Sequence, residues 1–412
     1  MDRIFDRVID SPRMLRTFVQ IVRSGSTGRK SLGSAPKRCV RRWLAAQTDA
    51  ALFAATVGNN PSLADVVRMV HPKPATPARE ALYGYLLGRT PRADTLPSLV
   101  QRFEAFKRGD DPNVPEVPLQ MLTSLALDRQ GWTAVARRAS WQTTRMNLNT
   151  FARHGVFEDR AMIELIADRL RDRAEISRAR VFPYQLLAAS RSVDERVPGA
   201  IRTALEDAME CAIANVPAID GQVFVCPDVS GSMRSPITGV IKGATTAVRC
   251  VDVAALISAA VLRRNPTAEV LPFEVDVVPV RLSPRDTVIT NAERLAAVGG
   301  GGTAVSAPLA RLNARQAAGD LVIVVSDCES WADAASPGTA TMREWETFRG
   351  RNPRARLVLI DLQPYRTTQA ADRADILNVG GFSDQVFTVI ADFAAGRLQR
   401  DHWVGRIDAV SI

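Results

Sequence analysis

The sequence predicts a two-part chain. An all-helical first half, read as a solenoid of helix pairs, is followed by a doubly wound α/β half with a mostly parallel sheet. Three observations carry this reading. At 412 residues the chain exceeds what one hydrophobic core usually supports. Apolar residues recur at helical spacing through residue 220 with no strand-like alternation. From residue 221, short apolar runs alternate with helical stretches. The pattern changes near residues 216–221, where Pro217 and Gly221 bracket a polar step, which gives expected domains of 1–218 and 219–412.

In the first half, Leu15, Phe18, Val19 and Val22 form one helical face, and Val40, Trp43 and Leu44 another. Further apolar faces fall at 52–55, 63–70, 82–87, 121–127, 162–170 and 183–189, without a clean repeat period. In the second half the expected order is a strand at 222–227, a helix at 242–264, and strands at 268–273 and 276–281. Helices at 289–298 and 305–317, a strand at 321–326, a helix at 340–350 and a strand at 355–361 follow, with closing helices at 369–378 and 384–396.

With 46% apolar and 24% charged residues, the composition is that of an ordinary globular protein. No run of about 18 apolar residues occurs, and the first residues lack the apolar core of a signal peptide, so a cytoplasmic protein with no membrane partner is expected. Cys39, Cys211, Cys226, Cys250 and Cys328 form an odd set with no C-x-x-C pair, which argues against a disulfide framework or a zinc site.

The net charge of +9 is unevenly placed. Residues 1–220 carry 33 Lys and Arg against 24 Asp and Glu, whereas residues 221–412 carry 20 of each, so the whole excess lies in the helical half. Residues 23–42 (RSGSTGRKSLGSAPKRCVRR) contain no acid at all. A basic stripe is the footprint of a phosphate-backbone partner, although solvated helix faces give the same composition.

The strongest local signal is Asp228-Val229-Ser230-Gly231-Ser232 at the end of the apolar run 223–226. A carboxylate and two hydroxyls on a strand-to-helix turn suit Mg²⁺, which takes one or two carboxylates and keeps water. Alone, the string equally fits a solvated Asx turn. Two later segments favour the metal: Thr303 follows four glycines at 299–302, and Asp327 ends the apolar run 321–325. Each sits beside a predicted element terminus, and ligands of open α/β sheets gather at the carboxyl ends of strands. Catalysis finds little support. The chain has no G-x-x-x-x-G-K-[ST] or G-x-S-x-G string, and His71, His154 and His402 are scattered.

The set Asp228, Ser230, Ser232, Thr303 and Asp327 resembles the metal-ion-dependent adhesion site (MIDAS) of von Willebrand factor A-like domains. A basic helical half followed by such a domain resembles the Ro autoantigen family, whose helical module is called TROVE. The strings LADVVRMVHPKP at 63–74, RARVFPYQLL at 178–187, DCESW at 327–331 and DILNVGGF at 375–382 are similar to that family's, and they span nearly the whole chain. The resemblance implies HEAT-like helical repeats that bind small noncoding (Y-like) RNA on a basic face and single-stranded RNA ends in a ring. It further implies an exoribonuclease such as polynucleotide phosphorylase as a possible partner. It begins inside the helical module, which implies a shortened N-terminus and leaves open whether the repeats close into a ring or form an arc.

The resemblance places RNA contacts at Arg29, Lys30, Lys37, Arg38, Arg41 and Arg42, with His71 and Lys73 close by; His71 equally suits a packed helix end. The expectation is a non-catalytic RNA-binding scaffold with a Mg²⁺ site. The alternative is a protein-interaction module that captures a partner's carboxylate on the metal.

Overall fold

The structure is a computed structural model that describes residues 2–28, 31–237, 248–327, 339–363, 370, 373–383, 385–398 and 404. It divides into two compact units, residues 1–138 and 139–409. This boundary lies upstream of the change in secondary structure, because the helices of residues 141–212 group with the sheet. Helix Gly199–Ala212 packs on Arg160–Arg171 and Pro183–Ser192, and the last of these also touches helix Cys250–Arg264.

The described part of the first unit is built from α-helices and short 3-10 turns. Local chemistry sets their ends. Ser62 and Asp65 form a reciprocal capping box on helix Leu63–Val70, and Thr48 and Thr76 cap the helices that follow them. Helix Ser34–Ala46 buries Pro36, Cys39, Val40, Trp43 and Leu44, and the Trp43 indole donates to the Ile9 carbonyl at 2.8 Å. Arg79 ties three segments together. Its largely buried guanidinium pairs with Asp49 and donates to the carbonyls of Leu44 and Gln47 at 3.1 and 2.6 Å.

In the second unit, strands β1 (Val223–Pro227), β2 (Glu269–Val270), β3 (Leu321–Ser326), β4 (Arg356–Asp361) and β5 (Ile376–Gly380) form one parallel sheet in the order β2-β1-β3-β4-β5. Strands β1 and β3 are buried along their whole length, as the unbroken runs VFVC and LVIVV require for a sheet covered on both faces. Phe224, Cys226, Val322, Val324, Leu357 and Leu359 meet Trp345 and Phe348 in one core. Helix Cys250–Arg264, buried from Cys250 through Leu262, packs against β1, β2 and β3.

Two expected elements are corrected. Residues 276–281 do not form a strand: Val277 makes a single bridge to Phe273, and Pro279 has no N–H to extend a ladder. Residues 376–378 belong to β5, not to a helix over 369–378, because pairing with β4 outweighs the helix preference of the Ala-rich stretch before them. The helix expected from 242 begins at Cys250, with residues 242–247 outside the described set. Among the described residues, no helix is long and apolar enough to cross a membrane.

Candidate functional site

The strand order reverses direction between β1 and β3, the point where an open α/β sheet leaves a crevice at its carboxyl edge. Asp228 and Asp327 follow these two strands directly, and Pro227 pairs with Val325 just before them. The Asp228 N–H donates to the Val325 carbonyl at 2.8 Å, and Asp228 bridges to Phe273 on its other side. The sheet therefore holds the Asp228 main chain from both flanks.

The Asp228 side chain is fully buried and well supplied with donors. Oδ1 accepts the Ser230 N–H at 2.8 Å, and Oδ2 accepts the Ser326 hydroxyl at 2.6 Å. Burial pushes its pKa up to about 6; the hydrogen bonds from Ser230 and Ser326 pull the other way, and the charge of Asp327 adds to the rise. Ser230, Thr303 and Asp327 are buried as well, and Ser230 Oγ lies 3.2 Å from Ser232 Oγ.

Glycine lets the third loop close on this turn. The Gly231 N–H donates to the Gly301 carbonyl at 2.9 Å, and the Gly301 N–H donates to Glu274 Oε2 at 2.7 Å. At Gly299, with φ of +78°, a Cβ would stand 2.3 Å from the Val229 carbonyl oxygen, a contact no side chain tolerates. Because Glu274 takes the Gly301 amide, that N–H is not presented to a phosphate, which weakens the idea of the glycine run as a phosphate cradle.

The donor set fits a small hard cation. It consists of oxygen alone, and two buried carboxylates, of which Asp327 raises the proton affinity of Asp228, gain from a cation beside them. The 3.2 Å between the two serine hydroxyls is close to the roughly 2.9 Å edge of an octahedron with ligands at about 2.0–2.1 Å. Among the described residues, no group of three or more His, Cys, Asp or Glu side chains could hold a metal, so the site depends on hydroxyls beside its two carboxylates.

In the first unit, Lys37, Arg38, Arg41 and Arg42 share helix Ser34–Ala46, and Arg38, Arg41 and Arg42 are exposed. Arg41 donates to the Val70 carbonyl, the last residue of helix Leu63–Val70. His71 caps that helix in the left-handed conformation, with φ of 47°, and is exposed along with Lys73. The structure thus brings the basic helix to the His71 turn. Arg42 pairs with Asp6 at 3.0 Å. Arg29 and Lys30, and Cys328, Glu329, Ser330 and Trp331 after Asp327, lie outside the described residues.

Sequence reading missed Ser326 and Glu274. Ser326 was visible only as a hydroxyl beside Asp327, and nothing local linked Glu274 to the glycine run 27 residues away.

The parallel sheet, five-stranded among the described residues and with acids and hydroxyls at its switch point, is that of a von Willebrand factor A-like domain, here preceded by a helical region. Residues 222–394 match the family described as the Ro60 vWA domain. The chain is 27% identical over 361 residues to the RNA-binding protein RO60 of Deinococcus radiodurans, covering 82% of this chain and 66% of that protein. It therefore spans just under two thirds of that relative's length. The crystal structure of the Deinococcus radiodurans Ro (RSR) protein matches with a TM-score of 0.72 at 23% identity, over 96% of this chain and 83% of that one. The second half of the chain carries a Ro60-type vWA domain, and the chain as a whole is similar in sequence and in fold to the Ro proteins.

Proposed function

We propose that the protein is a non-catalytic RNA-binding scaffold of Ro type. The observation that carries this is the convergence of Lys37, Arg38, Arg41 and Arg42 on one helix with the His71 and Lys73 turn, in a relative of an RNA-binding protein. Cationic side chains on a rigid helix neutralise phosphates with little regard for base sequence; it is the resemblance to Ro proteins that implies structured small RNAs of Y type and single-stranded ends as the ligands. An exoribonuclease brought in by such an RNA is the expected protein partner. The test is RNA affinity as a function of salt. Binding through these side chains weakens as salt rises, and a salt-independent affinity would overturn the reading.

In the vWA domain, Asp228, Ser230 and Ser232 would hold Mg²⁺, with Thr303 and Asp327 bound directly or through water. The ion would supply positive charge and a coordination position open to an incoming oxygen. Asp228 and Ser326 keep that position anchored to the sheet, and the glycine run shapes its rim.

A second reading, capture of a partner protein's carboxylate, is favoured by Val275. This side chain is 56% exposed beside Gly302, an apolar contact at the rim that a protein partner can cover and RNA gains little from. Partner capture that vanishes with EDTA and in Asp228→Ala, while RNA binding persists, separates the two readings.

A further inference from the structure

Glu274 stands outside the five candidate ligands yet binds the loop that carries Thr303. It follows Phe273, whose N–H donates to the Pro227 carbonyl at 3.0 Å and whose carbonyl accepts the Val229 N–H at 2.8 Å. That pairing fixes the Glu274 main chain beside the turn bearing Ser230 and Ser232. From this anchored position Glu274 grips the loop at 299–304 twice. Its Oε2 accepts the Gly301 N–H at 2.7 Å, and its carbonyl accepts the Ala304 N–H at 2.8 Å. Thr303 lies between those two held amides. The grip needs glycine, since a Cβ at 301 would stand 2.9 Å from Oε2.

The geometry points to Glu274 as a positioning residue that sets Thr303 for the cation, an inference that rests on the metal reading above. The carboxylate spends its charge on a main-chain N–H, and charge-assisted bonds of this kind are roughly twice as strong as neutral ones. The turn bearing Ser230 and Ser232 is held separately, by the Gly231 N–H donating to the Gly301 carbonyl, which belongs to the following peptide. Partners that orient metal ligands typically cost about 10- to 100-fold in metal affinity when removed.

The experiment is Mg²⁺ titration calorimetry on the full chain. E274A is expected to weaken Mg²⁺ about tenfold or more. E274Q keeps an acceptor oxygen and should recover most of that loss. In a T303A background, E274A should add nothing further, because the ligand it positions is gone. Without Mg²⁺, hydrogen exchange by mass spectrometry should quicken in peptides covering residues 299–304 of E274A. If E274A does not fold, E274D, which keeps the charge but is one methylene short, is read in the same assays.

Wild-type Mg²⁺ affinity in E274A, or an undiminished effect in the T303A background, would overturn the assignment. A wild-type chain that takes up no Mg²⁺ would instead remove the metal reading itself, with the exchange result still reporting whether Glu274 holds the loop.

Discussion

Ser326 donates its hydroxyl proton to Oδ2 of Asp228 at 2.6 Å, joining residues 98 positions apart in sequence. This bond and the Ser230 N–H leave each carboxylate oxygen with remaining acceptor capacity, so Asp228 is oriented without being used up. Ser326→Ala is expected to weaken Mg²⁺ about tenfold while leaving the metal-free fold within about 1.5 kcal/mol of the parent. Calorimetry and denaturant unfolding measure the two effects; unchanged Mg²⁺ affinity would refute the orienting role.

Asp228 and Asp327 are both buried carboxylates, and the proposed Mg²⁺ would offset the cost of burying them as like charges. Saturating Mg²⁺ at about 100 times its Kd should stabilise the parent by about 2.7 kcal/mol. Asp228→Asn removes one charge and keeps the side-chain shape. It should match or exceed the parent's melting temperature in EDTA and lose the Mg²⁺ response. A variant less stable than the parent in EDTA would show that the buried charge is already compensated.

On the basic helix, reversal at Lys37, Arg38 and Lys73 should lower RNA affinity and reduce the log–log salt slope by about 2 for single-stranded RNA, near 0.7 per lost phosphate contact. Reversal at Arg41 is a different experiment, because its guanidinium holds the Val70 carbonyl at the end of the neighbouring helix. Arg41→Glu should lose stability together with affinity. Circular dichroism melts beside binding isotherms distinguish the cases. A triple reversal with parental affinity would remove this face as the RNA site.

Asp252 gives a pH dependence of defined sign. Burial acts to raise its pKa, but the Arg249 guanidinium at 2.7 Å and the Arg249 N–H at 2.9 Å hold it below the usual carboxylate range. A depressed folded-state pKa contributes stability that is complete above the unfolded value near 3.9 and is lost as pH falls through the folded value. Asp252→Asn should therefore flatten the acid limb of the stability curve and cost about 2 kcal/mol at neutral pH. Unfolding free energies between pH 2 and 7 test this, and parallel curves would contradict it.

How much was legible follows from how local each signal is. Asp228, Ser230 and Ser232 sit within five residues at a strand end, so pattern alone exposed them. Thr303 and Asp327 were marked by the glycines and by the apolar run of β3. Ser326 and Glu274 act through strand register and loop closure, which no window of sequence contains. The same limit explains β5: residues 370–375 favour a helix, and only the neighbouring β4 makes Ile376–Gly380 a strand. Pro272 interrupts the expected 268–273 strand, leaving Glu269–Val270 as its paired part while the Leu271 and Phe273 N–H groups still reach β1.

The Gly231 to Gly301 bond joins one main chain to another. Substitutions elsewhere in the two loops can alter their chemistry without severing this link, since neither partner is a side chain. Its vulnerability lies in added bulk, because a methyl at Gly231 would press within 3.0 Å of the Gly300 carbonyl. The chemistry of the rim can therefore be changed at Val275, or at Arg234, which donates to the Gly299 carbonyl, while the main-chain bond keeps the spacing between the two loops.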